Sequence, residues 1–200
     1  MGRDVIMRDS AEKTIVIFGS SKPEPESSDY LQAYELGKAL AEAGYRLTNG
    51  GYGGTMAAAA QGAQSVLVPP FCISERCSCR AGPVTIGVTC DAFGRSGPNP
   101  WIAKEIRTQN LYERLETLMG LGDAFIVLPG GTGTLLELAA CWELINKRFL
   151  PNIPIICLTD YWKPVIDTIV KSGEAGGNCV RFADSIKIVL EVLKKCFADT

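Results

Sequence analysis

Short runs of consecutive apolar residues alternate along the chain with longer segments in which apolar residues recur every three or four positions. The runs predict buried strands, because a strand that is covered on both faces is apolar at nearly every position. These strands are predicted at residues 14–18, 45–49, 84–90, 123–129 and 154–158, with a short extended segment at 179–183.

The segments of helical periodicity lie between these strands and predict helices. They cover about residues 29–44, 55–63, 100–122 and 132–145, a stretch that begins near Trp162, and residues 184–197. Apolar strands that alternate with helices predict a doubly wound, Rossmann-like α/β fold with a parallel sheet. We expect a single domain over residues 1–200, with residues 65–82 as an insertion loop, because that segment exceeds an ordinary helix-to-strand connection.

Composition limits the function classes. The 200 residues are 46% hydrophobic and carry a net charge of −2, with no run of Lys or Arg, so we expect no nucleic-acid interface. No stretch is long and apolar enough for a membrane span, and the charged N-terminus lacks the apolar core of a signal peptide. These features predict a soluble, cytoplasmic protein that has no membrane partner but can bind a small anion.

The chain contains no histidine, which excludes Ser-His and Cys-His nucleophile pairs and imidazole metal ligands. Its eight cysteines lie mostly in apolar runs, where cysteine acts as a small buried hydrophobe. The cluster CISERCSC at residues 72–79 does not match a paired C-x-x-C zinc site. We therefore expect no metal, and chemistry based on carboxylates, Arg, Lys, Tyr, Ser, Thr or Cys.

Three glycine turns follow predicted strands, at residues 19–21, 50–56 and 129–134. Ligands of open α/β sheets bind at the carboxyl ends of the strands, so these turns are candidates together. The third turn does not match a P-loop, because Leu135 stands where a Lys-Ser/Thr pair would continue the motif. A Rossmann dinucleotide fingerprint is not favoured either, because the first strand ends in GSSKPEP.

The third turn can bind a phosphate through backbone N–H groups at a helix start. Its residues are Gly130, Gly131, Thr132, Gly133 and Thr134. The alternative is a tight turn with a good cap. Thr134-x-x-Glu137 also fits a capping box, and for Glu137 taken alone capping is the favoured interpretation.

The second turn, GGYGGTM, offers N–H groups at a helix start, with Tyr52 and Met56 as apolar faces for a base or sugar. Close packing of a helix on the sheet explains the same glycines equally well. Arg114 lies on the predicted helix that leads into the strand before the third turn. Taken alone, it is typical of a solvated helix residue.

These motifs in this order resemble the Lonely guy (LOG) family of cytokinin riboside 5′-monophosphate phosphoribohydrolases, long labelled lysine decarboxylases. The resemblance rests on Arg114 before PGGTGTLLE, which ends at Glu137, on GSS at 19–21, on GGYGGTM at 50–56 and on Trp142. It covers about residues 13–160 outside the insertion. Leu115 and Tyr52 replace the family's usual lysine and glycine, so the base is not specified.

The resemblance implies hydrolysis of the N-glycosidic bond of a purine or cytokinin nucleoside 5′-monophosphate. Glu137 and Arg114 would be catalytic, and residues 130–134 would bind the phosphate, without cofactor or metal. Further nucleotide contacts are implied for Gly19, Ser20, Gly53, Gly54, Thr55 and Met56.

The resemblance also implies a homodimer, and the helix around Trp142 and Leu144 is apolar enough for such an interface. A related branch binds molybdenum cofactor without hydrolysing a nucleotide, so a carrier is the alternative. Lysine decarboxylation by pyridoxal phosphate is not expected, because Lys22 is the one lysine in or beside the glycine turns.

Overall fold

The computed structural model describes residues 12–66, 84–94, 96–173 and 179–198. The described chain forms one sheet of seven strands, β1 to β7: Thr14–Phe18, Arg46–Asn49, Thr85–Cys90, Lys104–Thr108, Ala124–Val127, Ile155–Leu158 and Val180–Ala183. The helices α1 to α6 are Ser28–Glu42, Thr55–Gln64, Leu111–Leu121, Thr132–Asn146, Lys163–Lys171 and Ile186–Ala198. The insertion expected at residues 65–82 lies outside the described residues, except for its first two positions.

The sheet has the order β4-β3-β2-β1-β5-β6-β7, and every neighbouring pair is parallel. The chain builds outward from β1 to β4 on one side and then from β5 to β7 on the other. The direction of winding therefore reverses between β1 and β5, which pair with Val16 opposite Phe125. The predicted doubly wound parallel fold is confirmed, and a ligand crevice is expected at this reversal.

Each face of the sheet carries a buried layer. One layer packs the sheet against α1, α2 and α6, and the other packs it against α3, α4 and α5. In the first layer, the backbones of α1 and α2 lie unusually close together. A Cβ on Gly37 would collide with the backbone of Ala59, and a Cβ on Gly62 would collide with the backbone of Tyr34. Gly37 and Gly62 therefore allow α1 and α2 to pack directly against each other.

The prediction of a largely helical segment at residues 100–122 was wrong in its first half. Lys104–Thr108 forms β4, which pairs with β3 at the edge of the sheet, and α3 begins only at Leu111. Because an edge strand is partly exposed, β4 lacks an apolar run and its sequence does not indicate a strand. Asn110 sets the helix start, since its side-chain oxygen accepts hydrogen bonds from the N–H groups of Tyr112 and Glu113.

Candidate functional site

The carboxyl ends of the central strands enclose a cleft of about 790 Å³. The predicted site residues that line it are Gly19, Ser20, Met56, Arg114, Gly131, Thr132, Gly133, Thr134 and Glu137. The first and third glycine turns therefore meet at the reversal of the sheet, together with side chains from α3 and α4. Contact between these residues and a ligand stays a prediction.

Arg114 of α3 and Glu137 of α4 form an ion pair within the cleft. Arg114 donates from Nη1 to Glu137 Oε1 at 3.0 Å, and from Nε to the carbonyl oxygen of Val88 at 2.9 Å. The two residues are only 5% and 8% exposed. The interpretation of Arg114 as a solvated helix residue was therefore wrong, because the helix face that carries it packs onto β3.

Burial raises the pKa of the Glu137 carboxyl above its ordinary value of 4.5. The positive charge of Arg114 and its hydrogen bond lower the pKa and so oppose part of that rise. The carboxylate is thus a better proton acceptor than a solvated one, yet it faces a cation that favours its charged form. Such a group can stabilise positive charge or orient water in a neighbouring ligand.

The capping-box interpretation of Glu137 was also wrong. Helix α4 begins at Thr132, and its N-cap is Gly131, which has an extended backbone and no side-chain cap bond. The N–H of Leu135 already donates to the carbonyl oxygen of Gly131 at 3.0 Å. Because the helix begins earlier than Thr134, Glu137 lies inside it, where its side chain turns to Arg114 instead of the helix end.

The start of α4 presents backbone donors to the cleft. The N–H groups of Thr132, Gly133 and Thr134 lie in the first helical turn, where backbone N–H groups have no carbonyl partner within the helix. A Cβ on Gly131 or Gly133 would meet no atom within 4 Å, so the space beside these residues is open. An anion is favoured at such a helix start.

Gly130 has a different place in this turn. Its Cα packs against the side chain of Thr134, and its carbonyl oxygen accepts a hydrogen bond from the Tyr161 hydroxyl at 2.9 Å. Gly130 does not line the cleft of about 790 Å³ but a neighbouring cavity. It therefore shapes the turn, and its predicted contact with a phosphate stays a prediction.

The second glycine turn is joined to the first. The N–H and Oγ1 of Thr55 both donate to the carbonyl oxygen of Ser20, at 2.9 and 3.0 Å. Gly54 has φ +62 and passes so close to Ser20 that a side chain would collide with it. Gly53 lines a smaller adjacent cavity. Gly53, Gly54 and Thr55 thus support the cleft from outside its lining, and their ligand contacts stay predictions.

Two aromatic rings lie beside the Arg114 guanidinium. Arg114 Cζ is 5.9 Å from the ring centre of Tyr52 and 5.8 Å from that of Phe93. Tyr52 is fixed by Cys90, whose N–H donates to the Tyr52 hydroxyl at 2.8 Å. Phe93 is 42% exposed and offers a free ring surface to the cleft.

Sequence reasoning missed Phe93 as a site residue. It belongs to a short 3₁₀ turn, Asp91–Phe93, directly after β3. Its place after the carboxyl end of a predicted strand was a usable signal, but no glycine turn marked it. The cleft is also lined by Ser21, Lys22, Tyr52, Leu111, Leu115 and Leu136.

These features place the chain among doubly wound α/β proteins with a ligand crevice where the sheet reverses direction. The chain belongs to the family described as "possible lysine decarboxylase", whose sequence profile matches residues 56–196. A second profile, the SLOG cluster 4 family, matches residues 12–68. The predicted membership in the LOG family is confirmed. No curated protein matches the chain.

Several solved structures share this fold. The structural genomics target TM1055 has a TM-score of 0.69 and 23% identity, covering 92% of this chain and 99% of its own. The molybdenum cofactor carrier protein of Chlamydomonas reinhardtii has a TM-score of 0.68 and 23% identity, with 94% and 99% coverage. DNA processing protein A of Helicobacter pylori, a single-stranded DNA binder, has a TM-score of 0.55 and 15% identity, with 92% and 80% coverage. Likeness at these identities shows the fold alone.

Within the described ranges, no group of three or more cysteine or carboxylate side chains is placed to hold a metal ion. In the same ranges, no helix combines the length and the apolar character that crossing a bilayer requires.

Proposed function

We propose that this protein hydrolyses the N-glycosidic bond of a nucleoside 5′-monophosphate to the free base and ribose 5-phosphate. The observation that carries the proposal is the buried pair of Arg114 and Glu137, in one cleft with the open start of α4. Membership in the LOG family, which includes phosphoribohydrolases, supports it.

The proposed reaction uses Glu137 as the carboxylate beside the ribose. As the bond between C1′ and the base nitrogen breaks, its electron pair leaves with the base and positive charge spreads over the ribose ring. The carboxylate stabilises that charge and orients a water molecule toward C1′. The water oxygen bonds to C1′, and its two protons end on the new hydroxyl and on the base.

Arg114 keeps Glu137 ionised and aligned, because it donates to the carboxylate and is itself held by the carbonyl oxygen of Val88. The phosphate binds at residues 130–134, where the N–H groups at the start of α4 favour an anion. Gly19, Ser20 and Met56 line the remaining wall, and the exposed ring of Phe93 offers a stacking surface for the base.

A panel of purine and cytokinin nucleoside 5′-monophosphates tests the proposal. The purified protein should release the free base and ribose 5-phosphate in equal amounts from at least one of them, as measured by chromatography. The matching nucleosides, which lack the phosphate, serve as the control and should react at least about a hundredfold more slowly, because they lose the binding energy of the phosphate. No release from any monophosphate would contradict the proposal.

A carrier for molybdenum cofactor is the second candidate, because a carrier protein from Chlamydomonas reinhardtii has the same fold. A carrier would bind its phosphorylated ligand tightly without turnover. Mass spectrometry of the natively purified protein distinguishes the two functions. A retained pterin favours the carrier, whereas a retained ribose phosphate or monophosphate favours the hydrolase.

The family description names lysine decarboxylation, and a decarboxylase that uses pyridoxal phosphate needs a lysine for its Schiff base. Among the described residues that line the cleft, Lys22 is the one lysine, and it is exposed. The buried charged groups among the described residues of the cleft are instead Arg114 and Glu137, which are already paired. These residues do not fit pyridoxal phosphate, and no step of the proposed reaction uses it.

A further inference from the structure

A second cavity of about 460 Å³ lies beside the cleft, on the other side of the third glycine turn. The two cavities share three lining residues, Ser20, Lys22 and Gly131. Apart from Gly130 in the phosphate-binding turn, the proposed hydrolysis of a monophosphate uses only the larger cleft. The volume of the second cavity falls within the range of roughly 300–1,000 Å³ that is usual for small-molecule sites.

The residues shared by the two cavities suit phosphate groups. Lys22 carries a positive charge, Ser20 carries a hydroxyl, and an added Cβ on Gly131 would meet only open space. A phosphate or pyrophosphate at this junction would have one end directed to Arg114 and Glu137 and the other directed into the second cavity.

The far wall of the second cavity contains Tyr161, a fixed aromatic ring. Its hydroxyl donates to the carbonyl oxygen of Gly130 at 2.9 Å, and its ring meets Trp162 edge-on, with centroids 4.9 Å apart. The residue is nevertheless 54% exposed, so a ring that is held at two points still offers free surface. Stacking on such a ring loses little conformational entropy, because the side chain is already ordered.

Asp29, in the first turn of α1, supplies the negative charge of the second cavity. Its exposed carboxylate can accept hydrogen bonds from hydroxyl groups, but it repels further phosphates. The arrangement therefore favours phosphate beside Lys22 and a neutral, hydroxyl-bearing group beside Asp29.

We propose that the second cavity binds the distal sugar of a nucleoside diphosphate sugar, whose pyrophosphate spans the Gly131 turn. The distal sugar would donate hydrogen bonds to Asp29 and pack on Tyr161, while the nucleoside occupies the larger cleft. The orientation of the nucleoside rests on the proposed function. The preferred ligand is then larger than a nucleoside monophosphate.

Calorimetric titration of the full chain with AMP and with ADP-ribose tests this inference, with every protein carrying Glu137→Gln so that neither ligand is hydrolysed during the titration. The Glu137→Gln protein should bind ADP-ribose about tenfold more tightly than AMP, since two further contacts form. Asp29→Asn and Tyr161→Ala should each weaken ADP-ribose binding by about fivefold and leave AMP binding within about twofold. Tyr161→Phe keeps the ring and should retain ADP-ribose binding.

Tyr112→Ala is the matched control, because Tyr112 is an exposed tyrosine that lines neither cavity. It should change the binding of neither ligand. The inference is overturned if ADP-ribose binds no more tightly than AMP, or if the Asp29 and Tyr161 variants weaken both ligands equally.

Base release from AMP is measured on the matching proteins that keep Glu137 and reports the proposed function separately. If the protein releases base but binds ADP-ribose no more tightly than AMP, only the proposal that the second cavity binds a distal sugar is overturned. If ADP-ribose binds more tightly than AMP but no monophosphate releases its base, the result supports sugar binding in the second cavity and contradicts the proposed hydrolase function.

Discussion

Arg114 and Glu137 reach each other from two different helices and meet where little solvent enters. Removing two charges from water carries a large desolvation penalty, which their attraction only partly offsets. Such a pair is therefore weak evidence of stabilisation by itself. Its position in the cleft, beside the open start of α4, gives it a functional interpretation.

Arg114→Met should destabilise the protein strongly, because it removes the cation and leaves the Glu137 carboxylate buried without its partner. The expected loss is about 3–5 kcal/mol in the free energy of unfolding, measured by urea denaturation. Arg107→Met is the matched control, since Arg107 pairs with Asp91 on the surface, where the two side chains are 67% and 51% exposed. It should change stability little, and equal losses in both variants would contradict the importance of burial.

The raised pKa of Glu137 predicts the pH dependence of activity. Because burial raises the pKa, the acid limb of kcat/KM for base release should lie above pH 4.5, where an ordinary glutamate would titrate. The limb should be absent from whatever residual activity Glu137→Gln retains. An acid limb at or below pH 4.5 would contradict the assignment.

The same pKa shift affects stability. The folded state holds the Glu137 proton more tightly than the unfolded state, so the resulting stabilisation is complete below pH 4.5 and is lost as the pH rises through the folded pKa. Wild-type protein should therefore lose stability relative to Glu137→Gln between acidic and neutral pH.

At the scale of single elements, the turns determine how the catalytic candidates are placed. The first and second turns are joined through Thr55 and Ser20, and the third turn becomes the N-cap of α4. Gly50, at the end of β2, leaves room for the Arg114 guanidinium, because a Cβ there would collide with Arg114 Nη2.

Gly50→Ala should displace Arg114 and reduce both activity and stability. The expected destabilisation is about 1–3 kcal/mol, as for an overpacked core, with a loss of activity of about tenfold or more. Gly120→Ala, in the same helix as Arg114, is the control, because a Cβ on Gly120 would meet no atom within 4 Å and Gly120 does not line the cleft. If kcat/KM and the urea midpoint respond equally in both variants, Gly50 does not position Arg114.

The sequence predicted the strands whose residues are apolar throughout, because burial on both faces leaves a continuous pattern. It did not predict β4, whose exposed edge position removes that pattern. The motif predicted that Arg114 and Glu137 act together. Each residue taken alone indicated something else, a helix cap for Glu137 and a solvent-exposed side chain for Arg114. Burial of both side chains depends on how α3 and α4 pack on the sheet, which no local spacing encodes.

At the scale of the whole molecule, the proposed chemistry lies at the carboxyl ends of the central strands, and three helices of the described chain cover each face of the sheet. The apolar character of Trp142 is explained within the chain, because this residue is 4% exposed and packs in the core. Trp142 is thus not free to contact a second copy. That the chain binds no nucleic acid stays a prediction from its net charge of −2.

A homodimer is expected from the family resemblance. Light scattering at micromolar concentration should give a mass of twice the 21.5 kDa of one chain. The measurement should be repeated at high salt, where a dimer held by apolar contacts persists. A mass of 21.5 kDa under both conditions would show a monomer and contradict the expectation.

The most direct test of the central claim is the rate of base release by Glu137→Gln. Glutamine keeps the size of the side chain and an oxygen that can accept the hydrogen bond from Arg114 Nη1, but it lacks the negative charge. The variant should fold, bind monophosphate and lose about a hundredfold or more in kcat. If Glu137→Gln retains near-full activity under conditions in which wild-type protein releases base, Glu137 is not the catalytic carboxylate.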